Sequence, residues 1–178
     1  MLKQLYADLI AEIENNGTPL GPLTETFGVH RDLVIPRDRL MVEYQNFKDH
    51  LPDYPWDQRL AMEKLHYNKL RYSLSHSFAE NWFYKNEWVE NTRRVIALSS
   101  DCISSISVYM RGPDMHLNVY FRSSHLKNLF PIDLCFILGL SEAFTEDLQS
   151  TKDTFDIPHD IPDWSRLHLH LSIGNLHF

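Results

Sequence analysis

The chain has no long apolar run, little cysteine and fewer basic than acidic side chains, and each shortage removes a class of function. No uninterrupted apolar stretch approaches the length that crosses a bilayer. Two cysteines, Cys102 and Cys135, are too few for a disulfide framework and lack the spacing of a zinc site, which points to a reducing interior. With 17 Lys+Arg against 24 Asp+Glu the formal charge is −7. Such a chain has no broad basic face for duplex nucleic acid, so an anionic ligand has to be held locally. Repeats, low-complexity tracts and linkers are also missing. The opening MLKQLYADLIAEIENNG breaks its apolar residues with Lys3, Asp8, Glu12 and Glu14, which suits an amphipathic helix and not a signal peptide. A soluble, cytoplasmic protein with no membrane partner is expected.

What is present suits one core. At 178 residues and 43% hydrophobic content, the chain supports a single domain over 1–178, of α/β or α+β class. Leu2, Leu5, Tyr6, Leu9, Ile10 and Ile13 recur at helical spacing until Gly17 and Pro19 end the pattern. FGVHRDLVI (27–35) reads as a strand, and LMVEYQNFKDHL (40–51) as a helix with Leu40, Tyr44, Phe47 and Leu51 on one side. From Trp56 to about Trp88 the chain is aromatic, basic and free of Gly and Pro, which predicts one or two helices with a soft break near 73–77. RRVIALSS (93–100) reads as a strand, and 106–110 with 115–121 as a hairpin closed by RGPD. DLCFILGLSEAF (133–144) predicts an apolar helix, followed by a polar loop over 145–163 and a final alternating strand, RLHLHLSIGNLHF.

Three groups of residues carry candidate chemistry. Cys102 lies between a strand and the hairpin, where a nearby cation such as Arg122 would favour the thiolate; alternatively it is a small buried hydrophobe. Arg122 with Ser123, and the pair Arg93 and Arg94, have the forked donors that suit phosphate, though solvated strand ends are the commoner use. His168, His170 and His177 raise a metal, but no tight ligand motif accompanies them. His168 and His170 are read as exposed-face histidines and no metal is expected.

Together these segments resemble thymidylate synthase and the related pyrimidine nucleotide hydroxymethylases. YADLIAEIENNGTP is similar to that family's opening helix and N-G-T-P turn, and Phe27-Gly28 to the F-G of its first strand. RRVIALS resembles the strand with adjacent arginines, and DCISSISVYM the segment bearing the nucleophile, with Cys102 on its position. MHLNVYFRSSHLKNLFPID runs in step with the strand ending in Arg-Ser and the turn after it; SIGNLHF resembles G-D-x-H-x-Y. Residues 51–90 do not align by eye.

The resemblance implies an α+β fold of the thymidylate-synthase kind, with a mixed sheet, helices on one face and a homodimer joined sheet to sheet. Arg122 and Ser123 would hold the nucleotide phosphate while Arg93 and Arg94 reach in from the partner subunit, and His177 would line the substrate site. Cys102 would add to C6 of the pyrimidine, and C5 would take a one-carbon unit from 5,10-methylenetetrahydrofolate. Glu43 would order water and move protons near the ring. Where the synthases place an asparagine that reads uracil, this chain has Asp133. A carboxylate suits the N4 amino donor of cytosine, so a cytosine nucleotide, dCMP or CMP, is expected. The bland use of Asp133 is to cap the helix that follows.

The sequence also departs from the pattern. GPLTET replaces the arginine expected after the N-G-T-P turn, His125 stands for a carboxylate, Ile103 follows the cysteine where histidine is usual, and the sequence stops at Phe178, before the expected tyrosine. The nucleotide half of the site is therefore expected to be better furnished than the folate half. Two functions follow: an enzyme transferring a one-carbon unit, or a nucleotide-binding regulatory dimer without folate chemistry. A different C5 or C6 chemistry with the same cysteine is a third.

Overall fold

Seven strands of one mixed sheet are present among the described residues of the computed structural model, which are 1–85, 95–98, 102–156 and 163–178. In chain order the elements are α1 (Leu2–Asn16), β1 (Thr18–Leu20), β2 (Leu23–Pro36), a 3-10 turn (Arg37–Arg39), α2 (Leu40–His50), α3 (Trp56–Lys85), β3 (Val95–Leu98), β4 (Ile103–Arg111), β5 (Asp114–Phe121), β6 (Ser124–His125), α4 (Phe130–Phe155) and β7 (Arg166–His177). The strands lie in the order β1-β2-β7-β5-β4-β3, with β6 pairing β7 beside that path. β7 runs parallel to β5 and β6 and antiparallel to β2. No helix among the described residues is long and apolar enough to cross a membrane.

Helix α1 forms where its periodicity places it, burying Leu2, Leu5, Tyr6, Leu9 and Ile13. It ends where the Gly17 N–H donates to the Ile13 carbonyl at 2.8 Å. An ion pair between Glu12 and Arg31, 3.0 Å, ties it to β2. In α2, Leu40 and Phe47 are buried while Tyr44 and Leu51 pack against the core from partly exposed positions. The β4–β5 hairpin closes through Gly112 and Pro113 with Arg111 facing Asp114. Gly112 has φ +54°, a conformation that side chains with a Cβ rarely adopt.

Two expectations fail for one reason. No break occurs near Ser73–Ser77: α3 continues unbroken to Lys85. The expected loop after residue 144 is instead helical, because α4 runs on to Phe155 and stops at Asp156 in the left-handed conformation. Leu74 and Leu148 are both buried, and Asp147 accepts from Arg71 Nε at 2.9 Å and from Ser75 Oγ at 2.8 Å. The serine and aspartate that weaken helix signals in isolation thus join two helices across their polar edge. Burial opposes ionisation of Asp147, but the bonds from Arg71 and Ser75 outweigh it and hold its carboxyl below the usual range. Asp147→Ala is expected to cost about 1–2 kcal/mol, with solvent reducing the Arg71 share. Urea denaturation measures it, and a cost near zero would show that apolar packing alone aligns the helices.

The in-and-out alternation reverses near the end of the sheet. Along β7 the buried positions are Leu167, Leu169, Leu171 and Ile173, then Leu176; along β2, Val29 and Ile35 are buried on one side of Gly28 and Thr26 on the other. Gly28 and Gly174 lie between the paired residues Phe27–Asn175 and Val29–Ile173. Gly28 has φ +67°, and a Cβ on Gly174 would sit 2.8 Å from the Arg122 carbonyl oxygen. Both glycines are therefore required where the pattern turns over.

Candidate functional site

Backbone hydrogen bonds bring three separate segments to one end of the sheet. The Arg122 N–H donates to the Cys102 carbonyl at 2.9 Å, and the Asn175 N–H donates to the Arg122 carbonyl at 3.1 Å. Leu126 N–H donates to the His177 carbonyl at 2.8 Å, and β6 pairs Ser124 with Leu176 and His125 with His177. The segments carrying Cys102, Arg122, Ser123 and His177 are thus joined through the ladder. Arg122 is exposed; Cys102, Ser123 and His177 are half-buried. Arg93 and Arg94 lie outside the described residues.

Asp133 is not a helix cap. α4 begins at Phe130 after Leu129, with no side-chain cap bond, and Asp133 falls at its fourth residue. The residue is 6% exposed. Tyr67 Oη–H donates to Oδ1 at 2.8 Å, while Oδ2 is buried with no hydrogen-bond partner. Burial pushes its pKa up to about 7, partly offset by the Tyr67 bond, while nearby Glu63 adds to the rise. Both Tyr67 and Tyr54 are pushed above the usual phenol range, chiefly by burial. Each remains a donor: Tyr54 Oη–H reaches the Asn128 carbonyl at 2.6 Å.

Orphaned polar atoms gather in this region. His125 Nδ1, His177 Nδ1, Asn175 Oδ1, Ser124 Oγ and Asp133 Oδ2 are all buried without hydrogen-bond partners. Such atoms cost stability unless a ligand or water meets them. The His125 and His177 rings meet edge to face at 5.3 Å, and burial, then His177, lowers the pKa of His125. Beside them opens a cavity of about 390 Å³ lined by Tyr6, Tyr54, Arg59, Lys127, Asn128 and His50, among others. Its aromatic walls and cations suit a flat, anionic molecule.

Glu43 is engaged elsewhere. Its Oε2 accepts from the Met1 ammonium at 2.9 Å and from the Leu2 N–H at 3.3 Å. Burial opposes its ionisation, but those bonds outweigh it and keep its carboxyl below the usual range. Cys102 is not among the residues lining the cavity.

Tyr54, Arg59 and Tyr67 were not singled out from sequence, since they fall in the stretch that matched nothing by eye. Its aromatic and basic composition was the available signal. Asn128 and Asn175 carried no signal beyond their places beside matched residues.

No family model and no curated protein matches the sequence. Among solved structures, the chain is similar to a thermostable thymidylate synthase A from Bacillus subtilis, with a TM-score of 0.54 at 13% identity. The match covers 98% of this chain and 78% of that one. That neighbour is an enzyme, and at this identity the likeness establishes the fold: a mixed sheet with helices, of the thymidylate-synthase kind.

Proposed function

We propose that the protein transfers a one-carbon unit to C5 of a pyrimidine nucleotide, with cytosine as the preferred base. The observation that carries this reading is the buried carboxyl of Asp133, fixed by Tyr67 on one oxygen and unpartnered on the other. The unpartnered oxygen, when ionised, accepts from the N4 amino group of cytosine and meets only another acceptor in uracil O4. Arg122 and Ser123 hold the phosphate, with Arg93 and Arg94 supplied by a second copy, and His177 borders the base. The Cys102 thiolate adds to C6, which makes C5 nucleophilic. After C5 bonds to the one-carbon unit, loss of the C5 proton to a base would expel the carrier's nitrogen and leave an exocyclic methylene on the base; water, or a hydride from the donor, would add to that carbon, and the sulfur would leave C6 as the ring double bond reforms.

A folate donor suits the cavity, where Tyr6 and Tyr54 offer rings and Arg59 and Lys127 offer charge to an anionic tail. 5,10-Methylenetetrahydrofolate would supply carbon at the oxidation level of formaldehyde. A homodimer joined through the open sheet face accounts for apolar Val34 and Tyr120 being exposed there. Sedimentation at micromolar concentration checks it: a dimer is expected, and a monomer counts against the exchange of arginines.

The second reading, a nucleotide-binding or regulatory dimer, is favoured by the absence of Cys102 from the cavity lining. Tritium release from C5-labelled dCMP and dUMP, with and without methylenetetrahydrofolate, separates the two. Release from dCMP that exceeds release from dUMP and disappears in Cys102→Ser, with nucleotide binding retained, is the expected result. Binding without release in the parent protein selects the regulatory module.

A further inference from the structure

The sheet face opposite α1 carries a cluster that the nucleotide reading does not use. Asp114 and His116 of β5 and His168 of β7 each present one ligand-type atom, and these three atoms lie within 4.8 Å of one another. Parallel pairing sets His116 directly beside His168 and Asp114 beside Arg166. His168 was legible as a strand-face histidine; what sequence alone could not supply was the strand that lies next to it.

Three observations point to a cation. First, His168 Nε2 is buried without a hydrogen bond and lies 3.2 Å from Asp114 Oδ2. This close but poorly aligned contact, sealed from water, leaves Nε2 to be met by a proton shared with the carboxylate or by a metal cation between them. Second, Arg166 fixes the same carboxylate with two bonds, Nε to Oδ1 at 2.7 Å and Nη2 to Oδ2 at 3.0 Å. Each carboxylate oxygen has a further lone pair, so the fork orients Asp114 without exhausting it.

Third, His116 already has an outer partner. Its Nδ1 lies 3.2 Å from His170 Nε2, and His170 Nδ1 lies 2.6 Å from Asp32 Oδ1. The Asp32 carboxylate only accepts, so His170 donates from Nδ1 and, when neutral, accepts at Nε2. His116 then donates from Nδ1 and keeps its lone pair on Nε2. A carboxylate and histidine backing a second histidine is the outer-shell arrangement that fixes the tautomer of a metal ligand.

We propose that Asp114, His116 and His168 form a binding site for a borderline divalent cation of the zinc class, positioned by His170 and Asp32. Two imidazoles and one carboxylate suit Zn²⁺, Co²⁺ or Ni²⁺ better than the oxygen-seeking Mg²⁺ or Ca²⁺. Ligands about 2.0–2.2 Å from a tetrahedral zinc are closer together than 4.8 Å, so the side chains draw inward on binding, and His116 tilts out of its stack between Tyr109 and His168, whose ring centroids lie 4.7 and 4.4 Å away. Water completes the coordination. The three ligands come from one chain, so the site does not need the nucleotide reading, but it lies on the same open sheet face as the proposed dimer seam, where Val34 pairs directly with His168.

The test titrates Zn²⁺ into chelator-treated full-length protein against a chromophoric competitor and records the visible spectrum with Co²⁺. One ion per chain is expected at this site, with cobalt bands of low coordination number. His168→Gln and Asp114→Asn should each weaken Zn²⁺ by roughly 100-fold or more, and His170→Gln by about 10–100-fold through the outer partner alone. His76→Gln, on α3 away from the cluster, should leave affinity unchanged, and melting curves in chelator confirm that each variant is folded. Zinc should raise the melting temperature of the parent and not of His168→Gln. Absence of binding overturns the proposal, as does equal affinity in His168→Gln, which would place the ion elsewhere or leave His168 as a protonated partner of Asp114.

Discussion

At pH 8, Asp133→Asn is expected to melt well above the parent protein, and at pH 4 the two are expected to melt close together. The folded-state pKa of Asp133 is raised from 3.8 to about 7 by burial. Between those values the folded chain holds a proton that the unfolded chain has released, so stability falls as pH rises through that window. The penalty is absent below the unfolded value and complete above the folded one. About three units correspond to about 4 kcal/mol at most. Asparagine removes the penalty and still accepts from Tyr67 through Oδ1. The same substitution is expected to weaken dCMP and strengthen dUMP, shifting the ratio of dissociation constants by on the order of 2–3 kcal/mol. Stability and base choice therefore move in opposite directions, as expected when a buried charge is retained for recognition. An unchanged ratio would remove the cytosine preference while leaving the stability result intact. Equal melting at pH 8 would mean that water reaches the carboxylate.

Phe121→Ala is expected to cost about 3–5 kcal/mol, the range for truncating a fully buried aromatic. Phe121 closes β5 immediately before Arg122 and is completely buried. Its ring lies 5.8 Å from that of Phe130, which starts α4 three residues before Asp133. One aromatic contact thus joins the end of β5, next to Arg122, to the start of α4, which carries Asp133. Urea denaturation should show a lower midpoint with an unchanged slope. Phe121→Leu should recover much of the loss, because it leaves a smaller void. A cost below about 1 kcal/mol would mean that the neighbouring strands collapse into the space.

The legible parts of the fold were those where one short-range pattern decided the outcome. α1, α2, the hairpin and β7 all follow from local periodicity and turn residues. The continuation of α3 and α4 was hidden because Ser75 and Asp147 look like interruptions until the two helices are side by side. Cys102, Arg122, Ser123 and His177 were singled out through their order along a resembling sequence, and backbone hydrogen bonds join the segments that carry them. Tyr67 was not, since its contact with Asp133 spans 66 positions and no motif links them. The histidine cluster was half legible: alternation put His168 and His170 on one face, but only the parallel register adds His116 and Asp114.

The place of β7 governs when the sheet can be completed during synthesis. β7 is the last strand in chain order, yet it lies between β2 and β5, and β2 is separated from it by more than a hundred residues. Until Arg166–His177 has left the ribosome, β2 and β5 each present an open hydrogen-bonding edge beside apolar residues meant for the core. Such edges invite pairing with other chains, and late long-range closure slows folding. A nascent chain stalled before Arg166 should therefore be held by chaperones or degraded, and emergence of Arg166–His177 should convert it to a protease-resistant form.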